Sequence, residues 1–520
     1  MTNLNEAALM RALESLPQRF KGPGGVAGVV KDGKVIARRV WGYADSSARL
    51  PMQAATQLPI CSISKQFTCA VLLDQVPDIA ALDGRVAEYL PNLTSPQPTV
   101  KQLADNQSGL RDYWALTVLQ GARPEQTFAR EDALPLLARM KTGHFAPGTS
   151  YSYCNCNYRI LSELVESTTG RPLGDLYAER LFGPAGMTTA LLQADTRQPV
   201  DGVVGYEGND DVGYLPADNG IYWIGDAGIS ASLDDMLAWE AFIDATRDDP
   251  QGIYNRLSAP PTFNDGSAAG YGFGLKHDVV AGRKTTGHGG ALRGFRAHRL
   301  HVGAERLSVV VIFNHEADAH AAAYGLVETA LGHKTEAGQV PQADWQGLWL
   351  DEVQGLVLRT EPEAKTIRLH YGTTSASLTL GADGVAQGGG VSVQRGPDGL
   401  TMLRPSEALT VRPRPLTPVE HADAAPLAGS YWSDELEASL TVETRDGGTY
   451  AAFDGLLGAG PMERMHPVAE DIWVIPTRRS MDSSPPGDWT VQVQRSEAGA
   501  VVGLLLGCWL ARRIAYRRSA

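Results

Sequence analysis

The sequence predicts a multidomain chain. An α+β domain over residues 1–335, an antiparallel sheet with helices packed on it, is followed by two all-β antiparallel domains over 340–418 and 423–520. Three observations predict this. At 520 residues the chain is longer than one hydrophobic core sustains. Helical and strand periods mix over the first 335 residues or so, and after Ala343 almost nothing keeps a helical period. The β-rich remainder also carries an internal echo. "GLWLDEVQGLVLRTE" from Gly347 and "GSYWSDELEASLTVET" from Gly429 share a glycine, an aromatic nearby, an acidic turn and a strand. Chance similarity between hairpins is the alternative; two similar β domains joined near "RPRPLTPVEHADAAP" is the reading adopted.

In order along the chain, "GGVAGVVKDGKVIARRVWGYAD" (24–45) alternates and turns at Asp32-Gly33, which reads as a β-hairpin. Helical stretches follow at 62–76, 157–168 and 233–245. Strand signals return around "TTGHGGALRGFRAHRLHV" and "RLSVVVIFNHE", and "AHAAAYGLVETALGH" closes the region as a helix. Strands at both ends with helices between them suggest one antiparallel sheet with inserted helices. From Ala343 onward, short apolar segments alternate with Gly, Asp and Asn turns, the pattern of antiparallel barrels or sandwiches.

Composition narrows the function. The chain is 43% apolar and 20% charged, as in globular proteins. A net charge of −13 argues against nucleic acid or an anionic membrane surface as partner. "VVGLLLGCWLA" (501–511) falls far short of the ~20 residues of a spanning helix and reads as a buried strand. No signal peptide is visible, and five cysteines suit a reducing, cytoplasmic compartment. Cys154 and Cys156 form C-x-C rather than a zinc pair of pairs, so no metal or other cofactor is expected.

"PICSISKQFT" places Ser62 one helical turn ahead of Lys65, so both share a face. Four residues alone do not separate a nucleophile and its base from an N-cap followed by a solvated charge. Two further stretches do. "FAPGTSYSYCNCNYRIL" carries Tyr153-Cys154-Asn155 just before a helix, and "TTGHGGALRGF" places His288-Gly289-Gly290 on a strand. Together they resemble the serine penicillin-recognising enzymes, class C β-lactamases and DD-peptidases among them, with their ordered Ser-x-x-Lys, Tyr-x-Asn and Lys/His-x-Gly motifs. "NQSGLRDY" resembles the family's His-Thr-Ser-Gly-Leu loop with Asn106 in place of histidine; "LFGPAGM" and "AGISASLDDMLAW" resemble further family segments. The resemblance covers residues 15 to 335.

It implies that Ser62 is the nucleophile and that Lys65 and Tyr153 are the proton-handling pair. Asn155 orients substrate and Lys65, while the backbone N–H groups of Ser62 and Ala291 form an oxyanion hole. Gly289 and Gly290 let substrate lie against their strand. Ordinary pKa values of about 10.4 for lysine and 10 for tyrosine mean that either base needs roughly 3–4 kcal/mol of help from its surroundings. Which of the two is the base stays open. Cys61 and Cys154 flank catalytic positions and read as packing residues; thiol reagents are expected to inhibit by adding bulk there.

Where carboxypeptidases and lactamases usually carry lysine to hold a free substrate carboxylate, this sequence has His288, mostly neutral at pH 7. An enzyme that instead cleaves from the amino end needs a carboxylate for the ammonium group. "PTRRSMDSSPPGD" (476–488) is the most turn-rich long loop of the last domain, and its exposed-looking Asp482 is the candidate. The His-Gly-Gly motif combined with two C-terminal β domains is similar to the bacterial D-aminopeptidases. That resemblance implies release of N-terminal D-amino acids, D-alanine foremost, from peptides, amides and esters. It also implies lipocalin-like barrels and a homodimer. The alternatives are a DD-carboxypeptidase or β-lactamase, a small-ester hydrolase, or an inactive fold that binds ligand.

Overall fold

A computed structural model describes residues 4–333, 338–373, 375–397, 399–482 and 486–519. The predicted hairpin forms β1 (Gly24–Lys31) and β2 (Lys34–Asp45), turning where Asp32 and Gly33 both take positive φ. The later strands are β3 (Leu275–Val280), β4 (Arg283–Leu292), β5 (Phe295–Val302) and β6 (Leu307–Phe313). With two-residue strands at either edge they make an eight-stranded sheet whose interior order is β2-β1-β6-β5-β4-β3. The first and last long strands of this sheet therefore pair inside it, Val29 opposite Val309, and every residue of β6 is buried.

That full burial follows from helices on both faces. On one face α1 (Glu6–Glu14) and α6 (Ala319–Ala330) pack through Leu9, Leu13, Ala323 and Leu326 against Val29, Val309 and Val311. On the other, Val26, Val310 and Ile312 meet the larger core of α2 (Ser64–Gln75), α4 (Asn155–Thr169) and α5 (Leu233–Ala245). Alternate β6 residues thus serve opposite cores, as the two-residue strand period requires. Across this second face, Arg299 of β5 and Glu240 of α5 form a bidentate ion pair at 2.5 and 2.8 Å with both side chains fully buried.

Among the described residues after 338, strands dominate, with three short 3-10 turns. In the first nine-stranded sheet, Arg414–Pro415 pairs with the opening strand Gly347–Asp351, while Leu409–Val411 lies at the opposite end. Only two residues separate these terminal strands, so the sheet must curl until its ends meet. The second sheet runs as a meander in which Ala438–Arg445 pairs with both Gly429–Ser433 and Gly448–Gly455. That extra pairing closes a ring of eight strands and removes the sheet edge. The apolar stretch near the C-terminus is strand Val501–Cys508, mostly buried in this barrel. Among the described residues no helix is long and apolar enough to cross a membrane.

Both β sheets are fastened to the α+β region. The Asp112 N–H donates to the Leu510 carbonyl at 2.9 Å, and Gln120 Nε2 donates to the Leu436 carbonyl at 2.7 Å. From the first sheet, the turn at 405–407 accepts Ser150 Oγ (2.7 Å, Glu407 carbonyl) and the Gly270 N–H (3.1 Å, Ser406 carbonyl).

Candidate active site

Ser62 lies in a 3-10 turn, Cys61–Ile63, that leads directly into α2. The turn is tight: Cys61 has φ of +54°, the left-handed region that non-glycine residues seldom occupy. Gly290 of β4 lies against it so closely that a Cβ there would stand 2.4 Å from the Ile60 carbonyl oxygen and 2.8 Å from Cys61 Cβ. Only glycine lets the strand carrying His288, Gly289 and Ala291 approach the serine. Ser62 makes no helix cap. Its Oγ instead accepts from Lys65 Nζ at 3.0 Å and from the Tyr153 hydroxyl at 2.9 Å.

Lys65 is wholly buried and donates three hydrogen bonds. Besides Ser62, its partners are Asn155 Oδ1 at 2.9 Å and the Asp226 carbonyl at 2.7 Å. Burial lowers its pKa to about 8, against the opposing pull of the Asp226, Asp112 and Asp482 carboxylates. Tyr153 moves the other way: burial raises its pKa well above the ordinary value, with the Ser62 hydrogen bond as a smaller counter-effect. On losing a proton, Lys65 can keep its N–H bonds to Asn155 and Asp226 and turn its lone pair to the Ser62 hydroxyl.

Tyr153 sits at the end of a loop fixed by Asn106, which is fully buried with φ of +54°. Asn106 Oδ1 accepts from the Cys154 N–H at 3.2 Å and from Asn157 Nδ2 at 3.0 Å, and its carbonyl accepts from the Ser152 N–H at 3.0 Å. The departure from histidine in this loop thus supplies an anchor for the tyrosine. Asn155, the first residue of α4, donates both its N–H (2.5 Å) and its Nδ2 (3.0 Å) to Asp112 Oδ2. Those donations leave Oδ1 facing Lys65, so Asp112 sets the orientation of the amide.

His288 on β4 is buried and shares a hydrogen bond between Nε2 and the Tyr271 hydroxyl at 2.9 Å; its Nδ1 lies against the Gly289 carbonyl. Burial, then the nearby Lys65 charge, lowers its pKa to about 3, so it is neutral at pH 7. Asp482 is half-buried rather than exposed. It follows Ser480 and Met481, both buried, and its carboxylate acts electrostatically on Lys65, Cys61 and Tyr153. The base of its loop is pinned by Arg479, which forms a bidentate pair with Glu207 at 2.8 and 2.9 Å. Residues 483–485 of that loop lie outside the described residues.

The expectation of thiol inhibition is not met by this geometry. Cys61 and Cys154 are both wholly buried, and burial pushes the Cys61 thiol up to about 12. A reagent has access to neither thiol, and Cys61 is not a thiolate near neutral pH.

Three groups that the motifs do not name belong to the same cluster. Asp112 caps the helix α3 (Tyr113–Leu119) by accepting from the Trp114 N–H at 2.9 Å, and burial raises its pKa to about 6. An aspartate before an aromatic helical run is an N-cap signal, so Asp112 was findable as a cap, though not as a partner of Asn155. Asp226 offers Lys65 its carbonyl and accepts from the Tyr113 hydroxyl at 2.7 Å. Tyr271 carries no local signal; pairing of its two-residue strand with β3 brings it to His288.

The chain is similar to known proteins over nearly its whole length. Residues 9–333 match the family described as Beta-lactamase, and residues 339–517 match D-aminopeptidase, domain B. A D-aminopeptidase of Cereibacter sphaeroides is 65% identical over 98% of this chain and 99% of its own length. One from Brucella anthropi is 48% identical over 100% of this chain and 99% of its own. The fold is also similar to that of an octameric penicillin-binding protein homologue from Pyrococcus abyssi. That likeness has a TM-score of 0.54 and 17% identity, over 92% of this chain and 99% of that one. The chain belongs to the D-aminopeptidase family, whose catalytic part is of the β-lactamase type.

Proposed function

We propose that this chain is a serine hydrolase that releases N-terminal D-amino acids, D-alanine foremost, from peptides, amides and esters through an acyl-enzyme on Ser62. The observation that carries the amino-end preference is electrostatic. Asp482 brings a carboxylate within electrostatic reach of Lys65, while His288, where a carboxypeptidase holds a cation, is neutral. An ammonium one bond from the scissile carbonyl's α-carbon gains from the first and is not repelled by the second.

Lys65 is the base. Lowering it from 10.5 to about 8 corresponds to about 3 kcal/mol, and leaves roughly one molecule in ten neutral at pH 7. In that form Nζ takes the Ser62 proton as Oγ bonds to the substrate carbonyl carbon. The developing oxyanion is held by the N–H groups of Ser62 and Ala291; one such donor is typically worth ~10²–10³ in rate. As the C–N bond breaks, Tyr153 gives its proton to the leaving nitrogen. The phenolate, whose ring lies 5.0 Å from Lys65 Nζ, is then neutralised by the proton that lysine took. Water repeats the sequence to free the D-amino acid.

The test uses D-alanine p-nitroanilide and its L-enantiomer with wild-type enzyme and Ser62→Ala. Preferential hydrolysis of the D-form by wild type, its loss in the variant, and an acyl group mapped to Ser62 by mass spectrometry are expected. Equal cleavage of both enantiomers, or activity surviving Ser62→Ala, contradicts the reading. A homodimer in the cytoplasm completes the proposal. Five cysteines, all free of disulfides, support the reducing compartment, and sedimentation velocity tests the dimer.

A further inference from the structure

A cleft of about 490 Å³ opens beside Tyr153 and His288, and its far wall is not catalytic domain. Tyr151 and Tyr271 line the inner side. The outer side is made by the first β sheet, through Gly389–Gly390 and the turn carrying Arg404 and Glu407. None of its lining residues comes from the described part of the loop that carries Asp482. If Asp482 holds the substrate amine, as proposed above, the chain on the other side of the scissile bond runs into this cleft.

We infer that the first β domain builds a leaving-group subsite, which receives the peptide residues that follow the released D-residue. Its volume falls in the range of ligand pockets and exceeds what the ammonia released from an amide needs. The wall is fixed in place. The Ser406 and Glu407 carbonyls accept Gly270 N–H and Ser150 Oγ, and the Arg404 guanidinium stacks 4.7 Å over the Trp509 ring.

The wall presents the Arg404–Glu407 pair, joined through one edge at 2.7 Å. The charges cancel within the cleft: Arg404 with Glu407, and Lys276 with Asp278 at 2.7 Å. With its charges balanced, the subsite does not select a terminal carboxylate and takes peptide amides as readily as free acids.

The test compares D-alaninamide, D-alanyl-glycyl-glycine and its C-terminal amide on the full-length enzyme. Wild type is expected to favour both tripeptides over D-alaninamide in kcat/KM by about tenfold, with acid and amide within about threefold of each other. Ser406→Trp, which fills the cleft from an exposed position on its rim, is expected to bring the tripeptide-to-amide ratio down towards one. Glu407→Gln, which leaves the Arg404 charge uncompensated, is expected to favour the free acid over its C-terminal amide by about tenfold. A ratio near one in wild type, a ratio unmoved in Ser406→Trp, an acid-to-amide preference unmoved in Glu407→Gln, or a strong wild-type preference for the free acid overturns the inference. Absence of any D-alaninamide cleavage would instead sink the aminopeptidase reading, and this inference with it.

Discussion

Asp112→Asn separates the positioning of Lys65 from its titration. The carboxylate accepts three N–H donors, two from Asn155 on Oδ2 and one from Trp114 on Oδ1. An asparagine there has one acceptor oxygen and an NH₂ that must face a donor, whichever way it turns. Hydrogen bonds to a charged group contribute about 1.5–3 kcal/mol, and losing that hold on the Asn155 amide loosens the acceptor of Lys65. The plateau kcat/KM is expected to fall about 10- to 100-fold. A second effect has the opposite sign. Asp112 raises the Lys65 pKa, so removing its charge lets burial lower that pKa below about 8 and moves the acid limb to lower pH. The variant-to-wild-type ratio is therefore larger at pH 6.5 than at pH 9. The assay is kcat/KM on D-alanine p-nitroanilide across that range, with circular dichroism to check folding. An acid limb that stays in place or moves to higher pH would refute the electrostatic reasoning.

Four further outcomes are expected. Glu240→Ala strands the Arg299 guanidinium in the core and should cost about 3–5 kcal/mol, read as a lower denaturant midpoint. Gly290→Ala forces a Cβ against Ile60 and Cys61, so both stability (about 1–3 kcal/mol) and turnover should fall; unchanged kcat would show that the approach is not needed. Iodoacetamide should leave native activity intact and label Cys61 only after unfolding; rapid inactivation with Cys61 labelled would overturn that. Finally, burial lowers His277, His301 and His315 to about 4 and His288 to about 3. The unfolded chain binds these protons more readily, so the contribution is complete above pH 6.5. It is lost as pH falls towards 4, at about 1.4 kcal/mol per pH unit for each histidine. A midpoint that rises on going from pH 7 to 5 would contradict this.

What the sequence made legible follows from how local each signal is. Helix α5 (Leu233–Ala245) and the 24–45 hairpin have their punctuation beside them: Ser232 with Asp235 forms a capping box, and Asp32-Gly33 supplies the positive φ of the turn. The motif residues could be found because Ser62 and Lys65 share a helical turn and Tyr153 and Asn155 share a loop. Two features were hidden for a physical reason. Tyr271 reaches His288 only through strand pairing, and the Arg404–Glu407 turn reaches the cleft only once the first β sheet has docked. Neither contact leaves a mark on neighbouring residues. The half-burial of Asp482 was hidden in the same way. Its turn-rich surroundings read as exposed, while Met481 and Ser480 are buried in contacts made across domains.

The central claim is that a carboxylate supplied by the last barrel selects substrates with a free amine. The most direct measurement compares kcat/KM for D-alanine p-nitroanilide and its N-acetylated form in wild type and in Asp482→Asn. The account predicts that wild type cleaves the free amine far better, and that the preference shrinks by at least about tenfold in the variant, mainly through loss of the free-amine rate. Efficient cleavage of the acetylated form by wild type, or a preference untouched by Asp482→Asn, would contradict it.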